Sequence, residues 1–219
     1  MDGPTPIVLT AVVALLLVGS RRSWRVLRTV ITIAHEGGHA VTALLVGRRL
    51  AGMRLHADTS GVTLSRGRST GPGMVAMAFA GYVAPCLLGL GAAVLAVTDW
   101  YLVPLVIGVV LLVGMLLAVR NLFGVVALLV TGAALVALVL YASPETQRIS
   151  VSLLAWILVL GGVRAVGELQ RDRRHRRGRD SDADLLARLT HVPAMVWVLA
   201  FGLVAGGTLL ASVTLLLGM

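Results

Sequence analysis

Three ionisable side chains, His35, Glu36 and His39, lie within Val30 to Gly47, VITIAHEGGHAVTALLVG, a run otherwise free of charge and long enough to be a membrane helix. Ionisable groups at that depth are expensive and mark a functional site by default. Their order is H-E-x-x-H. On a helix, positions four apart share one face about a turn apart, so both imidazoles reach a single metal ion. Glu36 stands beside the first of them, where its carboxylate takes a proton from a metal-activated water. The competing reading makes His35 and His39 satisfied polar groups between helices and pairs Glu36 with an arginine. Such contacts require neither this order nor this spacing, which favours the metal.

The chain around this motif is that of a membrane protein. Of its 219 residues, 58% are hydrophobic and 13% charged, with a mean hydropathy of +0.92; an ordinary soluble domain carries about 25% charged residues. No polar stretch is long enough to fold by itself, so residues 1–219 are expected to form one transmembrane domain. The net charge of +9 comes entirely from arginine, gathered at helix ends and in two loops. That distribution fits membrane topology and anionic headgroups, and not nucleic acid. Cys86 is the single cysteine and lies in an apolar segment, which excludes an internal disulfide and implies a packed thiol. The MDGPTP start lacks a basic region, so Ile7 to Gly19 is expected to be a retained anchor and not a cleaved signal. The absence of lysine, with abundant Ala, Gly, Val, Leu and Arg, points to a GC-rich bacterial genome, hence to the inner or plasma membrane.

Seven apolar segments, near 5–20, 27–47, 74–97, 102–119, 122–141, 150–169 and 192–217, predict an all-α polytopic fold of about seven transmembrane helices. Between the second and third, alternation through Met53-Arg54-Leu55-His56 and Val62-Thr63-Leu64-Ser65 about a Gly-containing turn predicts a short β-hairpin within about residues 50–70. Such a hairpin offers a strand edge to a substrate, or is a plain surface loop. Small residues in the third segment, among them Ala80, Gly81 and Ala84, permit close helix approach. Asn121 opens the fifth segment, as a helix-start residue, a hydrogen-bonding partner of another helix or a substrate contact. A basic loop at about 170–190 holds arginines 171, 173, 174, 176, 177 and 179, followed by Ser181-Asp182-Ala183-Asp184 before LLARLT. Ser-Asp ahead of an apolar run also reads as a helix cap. At i, i+2 on a helix the two aspartates point different ways, so at most one of them serves as a ligand. If all seven segments span, the positive-inside rule places the hairpin, the basic loop and the N-terminus in the cytosol, although Arg21, Arg22, Arg25 and Arg28 then fall on the other side.

The HEGGH helix, the hairpin after it and the AGYVAPCLLG helix together resemble the site-2 protease superfamily of zinc intramembrane metalloproteases, and are most similar to its small bacterial branch without added domains. The resemblance implies a zinc metalloendopeptidase that cleaves a membrane-anchored protein, such as an anti-sigma factor or another single-span regulator. It also implies a third, carboxylate ligand. In better-known members this is an aspartate in an Asn-Pro…Asp-Gly type motif, whereas here Asn121-Leu122-Phe123 has no aspartate after it in the segment. The SDADLLARLT stretch is similar to one of the small branch. The ligands implied are therefore His35, His39 and Asp182, with Asp184 the second choice and Glu168 a distant third, and Glu36 is the base. Two imidazoles, a carboxylate and an open position suit Zn2+. Two alternatives remain: a non-proteolytic metal transporter or sensor, which needs more than one polar helix, and a catalytically silent scaffold acting through the hairpin.

Overall fold

The computed structural model describes residues 5–175 and 181–218, so Arg176, Arg177 and Arg179 of the basic run lie outside the described residues. In chain order the elements are α1 (Thr5–Gly19), α2 (Arg21–Leu45), β1 (Arg49–Leu55), β2 (Gly61–Arg66), α3 (Pro72–Val97), α4 (Leu102–Ala118), α5 (Leu122–Tyr141), α6 (Pro144–Arg174), α7 (Asp182–Thr190) and α8 (Ala194–Leu217). Hydrocarbon offers the backbone no hydrogen-bonding partner, so apolar stretches of this length fold as helices.

The expected count of seven spans is not confirmed. By length and hydropathy α3, α5, α6 and α8 qualify, and α4 is apolar but 17 residues long. The first two apolar segments meet in a 100° bend and make at most one broken span. By these measures four helices, or five with the bent pair, qualify among the described residues. The cause of the bend is local: Arg21, Arg22 and Arg25 open α2 as exposed side chains, and a helix start of that polarity does not continue straight through lipid. Apolarity on either side of Ser20 signals burial without fixing direction.

Two long helices, α3 and α6, pack side by side at the centre, and α2 packs across α3. Small residues set these approaches. A Cβ on Gly162 would lie 2.4 Å from Cys86 Sγ, and one on Gly38 would lie 2.4 Å from Ala84 Cβ and 2.9 Å from the Ala80 carbonyl oxygen. α1 runs beside α6 in the same direction, Ala14 sharing a core with Val151 and Ala155, and the Val18 carbonyl accepting from Arg164. The hairpin lies against α2. Its ladder pairs Arg49 with Arg66 at the base and Leu55 with Gly61 near the tip, with an irregularity between Leu50 and Gly52. Met53 and Leu55 point inward and join Ile33, Met115 and Leu128 in one apolar cluster.

Candidate metal centre

His35 and His39 lie one turn apart on the face of α2 turned toward α3. The approach is tight: a Cβ on Gly81 of α3 would meet His39 Nε2 at 2.5 Å and His35 Cε1 at 2.7 Å. His39 Nδ1 lies 2.7 Å from the Met77 carbonyl oxygen. A carbonyl only accepts, so Nδ1 carries the proton and Nε2 presents its lone pair. That lone pair faces His35 Nε2 at 3.1 Å. The His35 ring is also held edge-on by Tyr82, with ring centroids 4.8 Å apart.

The third member arrives from more than 140 residues away in the chain. Helix α7 is opened by Ser181, whose side chain accepts from the Asp184 backbone N–H, while the Asp184 carboxylate accepts from the Ser181 backbone N–H. This reciprocal capping box, together with a charge-assisted contact from Arg173 to Asp184, fully engages Asp184. Asp182 occupies the first helical position, has no part in the cap, and turns inward. Its Oδ2 lies 3.2 Å from His35 Nε2 and 3.3 Å from His39 Nε2.

The three atoms form a nearly equilateral triangle with edges of 3.1 to 3.3 Å. Ligands about 2.0–2.1 Å from a tetrahedral zinc stand roughly 3.3 Å from one another. The donor set therefore matches one face of a zinc tetrahedron in both size and chemistry. The Met77 carbonyl behind His39 is the outer partner that such a ligand usually has. Among the described residues, this is the one group of three or more His, Cys, Asp or Glu side chains placed to hold a metal ion.

Glu36 is 3% exposed. Its Oε2 accepts from the Thr63 hydroxyl at 2.6 Å, and a Cβ on Gly61 would lie 2.5 Å from its Oε1. The hairpin is thus pressed onto the carboxylate, and a side chain at 61 would have to displace it. Two cavities, of about 460 Å3 and 220 Å3, meet at this point, and His35, Glu36 and Gly61 line both. The larger also reaches Arg28, Tyr82 and Arg173, and the smaller runs between β2 and Asp182.

Of the residues singled out in the sequence, His35, His39 and Asp182 come together, with Glu36 beside them. Asp184 and Glu168 do not join them. Glu168 accepts from Trp24 Nε1 at 2.7 Å and pairs with Arg164 at 3.2 Å and Arg28 at 3.5 Å, tying α6 to the start of α2. Thr63, Gly61, Met77 and Tyr82 went unrecognised as parts of the site. The hairpin alternation puts Thr63 on the inward face with Gly61, but names no partner for it.

A family model described as Peptidase M50B-like matches residues 8–212, nearly the whole chain. No curated protein and no solved structure matches it significantly.

Proposed function

This chain belongs to the Peptidase M50B-like family, within the site-2 protease superfamily of membrane-embedded peptidases, and from that membership we propose that it is an intramembrane zinc metalloendopeptidase hydrolysing peptide bonds of membrane-anchored proteins. The observation that carries the proposal is the triangle of His35, His39 and Asp182 with a buried Glu36 beside it in the same cavities.

His35, His39 and Asp182 hold the ion. Zinc, when bound, supplies a Lewis acid that polarises a carbonyl and brings the pKa of water toward 7. The rest of the chemistry belongs to the chain. Glu36 takes a proton from the attacking water and delivers it to the leaving amine. Thr63 donates to one carboxylate oxygen of Glu36 and so fixes which way the other faces. The larger cavity brings water to this point past Arg28 and Arg173. A substrate helix must unwind locally before its peptide bond is reached, because each helical carbonyl is already bonded. The outer edge of β2, beside the smaller cavity at Val62 and Thr63, offers the unwound segment replacement backbone hydrogen bonds. By family resemblance, the substrate is an anti-sigma factor or another single-span regulator.

The test is purified protein in a bilayer with a membrane-anchored substrate. Glu36→Gln is expected to keep its zinc and lose at least about 100-fold in cleavage rate, the usual share of a general base, while His39→Ala loses both. Cleavage retained by Glu36→Gln removes that residue from its role. Metal flux into liposomes that is unaffected by the same substitution replaces the protease with a transporter.

A further inference from the structure

Asn121 precedes α5 in the cap position, with an extended backbone at φ −145° and ψ 152°, yet its side chain makes no capping hydrogen bond. Asparagine is among the best residues for capping a helix, so something else holds this amide. It is β1. Asn121 Nδ2 donates to the Leu55 carbonyl at 2.6 Å, and Asn121 Oδ1 accepts from the Leu55 N–H at 3.2 Å. The side-chain amide thus pairs with both backbone groups of one strand residue, as a neighbouring strand does. Its chain neighbours extend the match: the Arg120 N–H donates to the Met53 carbonyl at 2.8 Å, and Val119 and Met53 form a parallel bridge. Space is kept for the amide by Gly124, where a Cβ would lie 2.8 Å from Asn121 Oδ1.

Leu55 is the register partner of Gly61, and Gly61 is the residue pressed against Glu36. A continuous line of contacts therefore runs from the Asn121 amide through β1 and β2 to the carboxylate. Closing the outer edge of β1 also leaves β2 as the edge open to an incoming strand. We propose that Asn121 is a positioning residue: its amide fastens β1 and thereby sets both the β2 edge and Gly61 in place beside Glu36. This rests on the proteolytic reading for its consequence in turnover, but not for the clamp itself.

Two measurements on the full-length protein in nanodiscs separate the parts. The first is hydrogen exchange of the peptide that carries the Leu55 amide, which needs no substrate. Asn121→Ala, which loses both hydrogen bonds, and the isosteric Asn121→Asp, which keeps an acceptor for the Leu55 N–H but sets a carboxylate oxygen against the Leu55 carbonyl and so pushes β1 away, are both expected to raise its exchange rate about tenfold. The second is steady-state cleavage with zinc content measured in parallel. In both variants kcat/KM is expected to fall about tenfold or more, the larger share in KM, with one zinc per chain as in wild type. A purely structural role lowers kcat and zinc content together and leaves KM alone, so that pattern overturns the proposal. It is also overturned if Asn121→Asp exchanges and cleaves as wild type, because shape alone then suffices, or if neither variant alters Leu55 exchange. Leu122→Ala, at a neighbouring residue 80% exposed, serves as the control and is expected to change neither readout. A wild type that cleaves nothing removes the protease reading, and the exchange experiment still decides the clamp.

Discussion

Helix α7 begins with two carboxylates, and its first turn determines which of them is free. Ser181 and Asp184 satisfy one another's backbone N–H groups, and Arg173 from the end of α6 neutralises Asp184. Asp182 is left to face the histidines. Sequence spacing alone establishes that the two aspartates point apart, but not which one turns inward, because Ser-Asp before an apolar run caps a helix through either residue. The deciding partner, Arg173, sits eleven positions upstream of Asp184, and no sequence spacing rule pairs the two. Opposite outcomes are expected from the two alanine variants. Asp182→Ala loses the zinc, measured as metal per purified chain. Asp184→Ala retains it and loses about 1 kcal/mol of stability, the usual worth of a cap, read as a lower midpoint of thermal unfolding. Zinc lost from Asp184→Ala and kept by Asp182→Ala exchanges the two roles.

At the scale of elements, the pairing of the hairpin with α2 assembles the site, and most of the hairpin was legible. Alternation about the Gly-containing turn placed it within about residues 50–70, and the strands run Arg49–Leu55 and Gly61–Arg66. The β1 face that carries Met53 and Leu55 is the buried one. What alternation cannot supply is the surface that this face meets. Gly61 illustrates the limit: as a residue after a turn it needs no explanation, yet it is where β2 crosses Glu36 so closely that an added Cβ would lie 2.5 Å from its Oε1. Gly61→Ala therefore has to push the hairpin away or turn the carboxylate aside. Cleavage is expected to fall at least about tenfold with zinc retained, since a misplacement of about 1 Å near reacting groups costs up to about 100-fold. A Gly61→Ala enzyme with wild-type turnover removes the hairpin from its place against the base.

The orientation of the whole molecule follows from the bend between α1 and α2. Seven separate spans put Arg21, Arg22, Arg25 and Arg28 on the side opposite the other basic loops, an internal conflict in the sequence reading. Reading the first two segments, which meet at 100°, as one broken span removes a crossing and resolves it. α1 now runs with α6, its far end meets Arg164, and Arg28 pairs with Glu168 close to the basic end of α6. The hairpin arginines lie at that end too, since α3 starts there and packs antiparallel to α6, with Cys86 against Gly162 and Gly89 against Val159. Arg148 is the exception among the described arginines; it sits near the start of α6 and pairs with Asp99 at 3.5 Å. By the positive-inside rule the arginine-rich end, with the candidate metal centre nearest to it, is expected to face the cytosol. On that arrangement the start of α1 is expected on the external side with the 141–144 turn, opposite to the placement expected from seven spans. A tag ahead of α1 and a cysteine replacing Ser143 are expected to react with an impermeant reagent added outside intact cells, whereas a cysteine replacing His175 reacts only after permeabilisation. A tag that becomes accessible only together with the His175→Cys label restores a full separate crossing for α1, and the 100° bend then has no place in the membrane-embedded protein.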